Sequence, residues 1–181
     1  MSPTGTLRLF FALWPEESLQ RSLATAVREA LGQDPPGQPM PVRNLHVTLA
    51  FLGSVPEERV QALRAAAAPA ARAAAPPLTL EFRQLRFWRR AQLVCASPAP
   101  CAGADLLAQS LRQCLHAAGF SPDQKPFRPH VTLARRAELA PARSEFAPVT
   151  WSFSAFALVR SRTEPTGSVY SVLDSWTLCG Q

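Results

Sequence analysis

Apolar and polar positions along this chain fall into an alternation of extended and helical stretches. Residues 6–14, TLRLFFALW, form an apolar run with the length and composition of a buried strand. Pro15, Glu16 and Glu17 then open a helix, because proline is tolerated in a first turn and acidic side chains suit the positive helix end. Leu19, Leu23, Ala26, Val27 and Ala30 recur at the spacing of one helix face, and Gly32 supplies a stop. A proline-rich loop over residues 33–41 leads to a second strand, NLHVTLAFLG, at residues 44–53. Ser54 and Glu57 fit a capping box for a helix from residue 55 to about 68, which tapers into an alanine-proline tract. LTLEFRQLRFW and AQLVCAS read as two strands joined by a hairpin at RRA. A third helix covers residues 104 to about 118 and stops at Gly119. FRPHVTLAR is the next strand, and the alternating VTWSFSAFALVRS and SVYSVLDSWTL are the last two.

The resulting order, β-α-β-α-β-β-α-β-β-β, predicts an α+β protein with mostly antiparallel sheet. A chain of 181 residues fits one domain, or two small lobes sharing a core, and no linker of domain-separating character interrupts it. Five residues, HVTLA, occur twice, at 46–50 and 130–134, each time after a helix and a loop. That placement predicts two lobes related by approximate internal symmetry.

Side chains on a strand alternate between faces, so His46 and Thr48 point one way and Val47 and Leu49 the other. The second copy sorts in the same way, with His130 and Thr132 opposite Val131 and Leu133. If the lobes pack as a pseudo-dimer, the two His-Thr pairs confront each other. Paired imidazoles suit in-line displacement at phosphorus. A neutral ring takes a proton from the attacking oxygen, and a protonated one gives a proton to the leaving oxygen on the far side. Threonine hydroxyls can donate to the non-bridging oxygens. A lone H-x-T on a strand more often reflects surface polarity or a structural histidine, and a repeat can record an old duplication without chemistry. Polar residues kept on the same face in both copies favour the paired site. Metal binding is the rival for two histidines, but no nearby carboxylate or cysteine completes a ligand set.

The net charge of +6 favours a polyanionic partner such as RNA or DNA, although a chain rich in Ala, Pro and Arg, with Lys125 its only lysine, carries much of that charge as compositional bias. Cys95, Cys101, Cys114 and Cys179 form no C-x-x-C pair and are expected as reduced thiols. No apolar run reaches spanning length, and the start of the chain lacks the basic leader and cleavage site of a signal peptide.

With both motifs in view, the chain resembles the 2H phosphoesterase superfamily. Within it, NLHVTLAFLG and KPFRPHVTLAR, their histidines 84 positions apart, resemble bacterial RNA 2',3'-cyclic phosphodiesterases, also called 2'-5' RNA ligases. RLFFALWP and LVRSRTEPTGSVYSVLDSW are similar to the family's first strand and closing strand pair, so the resemblance runs over nearly the whole chain. It implies a bilobal α+β fold over residues 1–181, a single domain of two intertwined lobes. Two mostly antiparallel sheets, with pseudo-two-fold symmetry, would surround a central cleft, with helices outside. It implies hydrolysis of RNA 2',3'-cyclic phosphate ends to 2'-phosphates, and 2'-5' ligation as the same reaction reversed. By the same likeness His46 is the proton donor to the departing 3'-oxygen, His130 the base that activates water, and Thr48 and Thr132 hold the phosphate. The two motifs are too alike for the sequence itself to assign acid and base. The resemblance implies no metal or other cofactor. It implies RNA with cyclic-phosphate or 2'-5'-linked ends as partner, and a monomeric cytoplasmic protein away from membranes.

Beyond the shared five residues the copies differ. Arg135, five positions after His130, is expected on the phosphate, since guanidinium presents a planar fork to two oxygens. Phe51, at the matching place, either lines the cleft and stacks on a base or packs in the core. Arg128 shares strand parity with His130, although Pro129 can twist it away. Arg136, Arg89 and Arg90 either steer the RNA backbone or are simply solvated, and His116, near a helix end, reads as structural or exposed. Tyr170 and Ser161 match the closing pattern without an assigned role. Two other readings stay open: an enzyme for small cyclic nucleotides or 2'-5' oligonucleotides, and a non-catalytic module that binds RNA ends. Retention of both histidines and both threonines makes the last the least favoured.

Overall fold

A computed structural model describes residues 5–32, 36–165 and 167–180 of the chain. The opening residues 1–4 and the start of the expected loop, residues 33–35, lie outside the described residues. The chain runs β1 (Thr6–Leu13), α1 (Glu17–Leu31), β2 (Gln38–Pro39), β3 (Val47–Pro56), α2 (Val60–Ala67), β4 (Leu78–Trp88), β5 (Leu93–Pro98), α3 (Ala102–Ala117), β6 (Val131–Arg135), β7 (Glu145–Phe153), β8 (Ala155–Glu164) and β9 (Gly167–Thr177). No described helix is long and apolar enough to cross a membrane.

The fold is α+β, but the strands form one curled antiparallel sheet of nine, not the two sheets expected from the resemblance. The order is β7-β4-β5-β6-β3-β1-β8-β9, with β2 paired to β6. Two groups of four strands meet where Val47 pairs with Val131, the valine of each HVTLA copy. That contact makes one sheet of two, because the inner edge of each group finds its hydrogen-bonding partner in the other.

One face of the sheet carries the helices and the main core. Leu9, Phe11 and Leu13 of β1, and Phe156 and Leu158 of β8, point into it, as do Leu23 of α1, Leu63 of α2 and Leu111 of α3. The alternate residues Phe10, Ala12, Ala157 and Val159 form a smaller cluster on the opposite face, with Trp14, Phe51 and Tyr170 against it. α1 follows β1 in one group but packs on β7 in the other, where the Trp151 indole N–H donates to the Leu19 carbonyl at 3.0 Å. α3 follows β5 and packs on β3 in the opposite group. The two groups therefore hold each other's helices.

Three local expectations change. The capping box at Ser54 and Glu57 does not form, because β3 continues through Pro56, with Val55 paired to Leu7 and Pro56 to Thr6. A 3-10 turn over Glu57–Arg59 intervenes before α2. The stretch VTWSFSAFALVRS is two strands broken at Ser154, and the halves go to opposite parts of the sheet, β7 beside β4 and β8 beside β1. The third is β2, a two-residue strand inside the proline-rich loop, seated against Arg135 and Ala134. Gly37 permits this approach: its φ is +86°, and a Cβ there would lie 2.4 Å from the Arg135 carbonyl oxygen.

Candidate active site

The two histidines stand just ahead of β3 and β6 and are held alike. His46 Nδ1 lies 2.7 Å from the Asn44 carbonyl, and His130 Nδ1 lies 2.7 Å from the Arg128 carbonyl. A carbonyl can only accept, so Nδ1 carries the proton in both neutral rings and the lone pair is left on Nε2. Both Nε2 atoms are thereby prepared for proton transfer. The backbone under His46 is itself tied down. Buried Asn44 donates to the Ser168 carbonyl at 2.8 Å, and buried Gln20 donates to the Leu45 carbonyl at 2.9 Å and the Arg43 carbonyl at 3.2 Å.

His46, Thr48, His130, Thr132 and Arg135 line one cleft of about 490 Å³, with Phe51 also in its wall. Four of the six belong there by strand parity, but Phe51 and Arg135 each lie at an odd offset from their histidine. Matching irregularities put them on the cleft face. On β3 the register passes from Ala12 opposite Thr48 to Phe11 opposite Ala50, leaving Leu49 extra. On β6 it passes from Cys95 opposite Thr132 to Val94 opposite Ala134, leaving Leu133 extra. Each is a β-bulge at the leucine of HVTLA. Leucine and alanine consequently both enter the core, and the next residue turns into the cleft.

The surroundings of the two rings differ. His46 stacks on Trp14, with centroids 5.3 Å apart and planes at 17°, and touches Phe10 at 4.9 Å and Tyr170 at 5.4 Å. Its Nε2 accepts from the Thr48 hydroxyl at 3.1 Å. Burial pushes its pKa down from 6.5 to about 4, against the favourable Asn44 carbonyl, and His130 and Arg135 add charge repulsion. His130 has Trp88 tilted over it at 4.3 Å. Its pKa is also lowered, chiefly by burial and in part by Arg135. Thr132 faces Cys95, whose thiol is pushed up to about 12 by burial despite the pull of the Thr132 hydroxyl.

Arg135 is exposed and forms no ion pair with a carboxylate among the described residues, which leaves its guanidinium available to an anion. The Arg128 side chain lines a neighbouring hollow instead of this cleft, and its carbonyl is what serves His130. Ser161 and Tyr170 line the cleft. Arg89 and Arg90 are exposed in the turn between β4 and β5. Arg136 is exposed beyond β6, and His116 is exposed near the end of α3, with the Gln124 amide at 2.7 Å. Among the described residues no three His, Cys, Asp or Glu side chains converge as a metal site.

Sequence reasoning missed Arg8, which lines the cleft with its guanidinium 4.8 Å over the Phe51 ring, and it missed the aromatic box of Phe10 and Trp14. Parity from Phe10 through Ala12 to Trp14 was the available signal. It also missed Gln20, although a glutamine three residues before Leu23 on an apolar helix face is itself a signal.

A family model described as the 2'-5' RNA ligase superfamily matches residues 15–165. An RNA 2',3'-cyclic phosphodiesterase of Thermus thermophilus is 34% identical, covering 97% of this chain and 92% of that protein. One of Escherichia coli is 31% identical over 94% of this chain and 96% of the relative. The crystal structure of Escherichia coli LigT complexed with 3'-AMP superposes with a TM-score of 0.83 at 30% identity, covering 96% of this chain and 98% of the other.

Proposed function

The chain belongs to the 2'-5' RNA ligase superfamily, among the RNA 2',3'-cyclic phosphodiesterases, and we propose that it hydrolyses 2',3'-cyclic phosphate ends of RNA to 2'-phosphates by paired general acid and base catalysis. The observation that carries this reading is the pair of Nε2 atoms, each freed by an Nδ1–carbonyl hydrogen bond, in one cleft with an unpaired Arg135. The cyclic phosphate lies between them. His130, neutral in the free protein, takes the proton of the attacking water, a bond forms between that oxygen and phosphorus, and the P–O3' bond breaks as His46 delivers a proton to O3'. Arg135 and the two threonines hold the non-bridging oxygens. The acid and base roles follow the family likeness, with the two rings on opposite sides of the phosphorus as in-line displacement requires.

His46 must be protonated to act as the acid, yet burial works against its charge. The negative phosphate supplies the compensation, since an anion beside an imidazole favours the charged form. Run backward, the same groups join a 5'-hydroxyl to the cyclic phosphate and leave a 2'-5' bond. The test is incubation with an RNA ending in a 2',3'-cyclic phosphate, in EDTA and without nucleotide, followed by identification of the product. A 2'-phosphate is expected. A 3'-phosphate, or a strict need for added metal, would overturn the reading.

A further inference from the structure

Beside His130 lies a second hollow of about 520 Å³, which shares Thr48, Phe51, Leu93 and His130 with the catalytic cleft but excludes His46, Thr132 and Arg135. Resting on the proposed reaction, we infer that this hollow holds the RNA strand that brings the 5'-hydroxyl in ligation, and that leaves with it when a 2'-5' bond is cleaved. In-line displacement sets the direction. The group entering at phosphorus comes from the side of the base, opposite the departing O3', so a nucleoside carrying the attacking oxygen must lie beyond His130. The hollow meets the cleft at His130 and does not reach His46.

Its lining suits a nucleotide. Trp88 and Phe127 offer flat apolar surface for a base or ribose. Arg112, Lys125 and Arg128 face a single carboxylate, Asp123, which Lys125 already pairs at 3.5 Å. The surplus of positive charge fits the phosphate on the 3' side of the entering nucleoside. The wall is built before any ligand arrives. The Asp123 N–H donates to the Phe51 carbonyl at 2.9 Å, and Arg112 donates from α3 to the Lys125 carbonyl at 2.7 Å. Arg112 also keeps a buried Nε–H with no acceptor among the described residues. A nucleoside 2',3'-cyclic phosphate attacked by water has no second nucleoside to place there.

In the cleavage direction the atoms balance as follows. The 3'-hydroxyl gives its proton to His46 and attacks phosphorus, the P–O5' bond breaks, and His130 protonates the departing O5'. The products are a cyclic phosphate and a free 5'-hydroxyl, and no oxidant or co-substrate is consumed. The experiment compares two substrates, cytidine 2',3'-cyclic phosphate and a 2'-5'-linked trinucleotide, in the parent and in Phe127→Leu and Lys125→Glu. Both variants should lose about tenfold in kcat/KM on the trinucleotide, mainly through KM, the size of one lost stacking or phosphate contact. Hydrolysis of the cyclic mononucleotide should stay within about twofold. Equal losses on both substrates, or no loss on either, overturn the inference. A parent that hydrolyses the mononucleotide but leaves the 2'-5' bond intact overturns the inference alone, whereas a parent inert on the mononucleotide overturns the proposed function with it.

Discussion

His46 stands in a box of three aromatic rings, whereas His130 has one ring over it and an open hollow at its side. Five identical residues surround the two positions in sequence, and both rings donate from Nδ1 to a carbonyl two residues back. The difference comes from strands far away in the chain. β1 and β9 supply Phe10 and Tyr170 to the first copy, and Trp14 follows directly on β1, while the end of β4 supplies Trp88 to the second. A repeated motif thus fixes the orientation of an imidazole, and its neighbours fix its proton affinity. On the proposed assignment the more deeply boxed ring is the acid, so the free protein stores no proton on it and gains one only with the anionic substrate.

That contrast can be broken most forcefully at the rings themselves. His46→Ala and His130→Ala should each lower turnover of a cyclic mononucleotide by about 10²–10⁴-fold with the fold preserved. Near-normal turnover in one variant would show that its site has no part in proton transfer. Arg135→Lys keeps the charge but loses the planar fork, and should cost roughly 10–100-fold in kcat. A fully active Arg135→Lys enzyme would reduce Arg135 to a steering charge.

pH sharpens the comparison. Both histidines have pKa values below 6.5 in the free protein. One must be protonated and one neutral, so the competent fraction falls about tenfold per pH unit above the higher of the two values. kcat/KM should peak below pH 6.5 and decline toward alkaline pH, while kcat, which reports the complex, should hold to higher pH. Opening the box with Trp14→Ala should raise the His46 pKa from about 4 toward the ordinary value and leave His130 in place, as read by NMR titration of the ring protons. Parallel movement of both would mean that the box is not what separates them. The smallest effect is expected from Arg89→Ala and Arg90→Ala. Each should weaken binding of long RNA slightly and reduce the slope of affinity against salt by less than about one ion, with mononucleotide turnover unchanged.

Much of this was legible in the sequence because it depends on local pattern. β4 spans residues 78–88 as its alternation foretold, α1 stops at Gly32 with φ +75°, and His46, Thr48, His130 and Thr132 share one cleft as parity requires. What alternation alone cannot supply depends on partners remote in sequence: Arg135 is expected on the phosphate, and Phe51 in the cleft or the core, from side-chain chemistry and not from strand parity. Strict alternation puts Phe51 and Arg135 on the core face, and only the bulges at Leu49 and Leu133 reverse them. The adjacent apolar pair in HVTLA, Leu then Ala, is the trace of each bulge, for an alternating strand with one wet face has little use for two apolar residues in a row. The break at Ser154 escaped for a different reason. Apolar positions continue through it, and the change of partner from β4 to β1 leaves no local mark. The split between two sheets and one turned on a single pair, Val47 with Val131, which no periodicity encodes.

The exchange of helices between the two groups of strands also governs how the chain comes to be folded. Leu19 on α1 waits for Trp151, 132 residues later, and β1 waits for β8, which follows directly. At ribosomal speeds of about 5–20 residues per second, that interval is on the order of ten seconds. Throughout it the apolar stripe of Leu23, Ala26 and Val27 lacks its seat on β7. The N-terminal helix therefore keeps apolar surface uncovered while most of the chain is made, and closure of the sheet comes late. Neither wall of the cleft can be finished early, because each is roofed by a helix that belongs, in chain order, to the other.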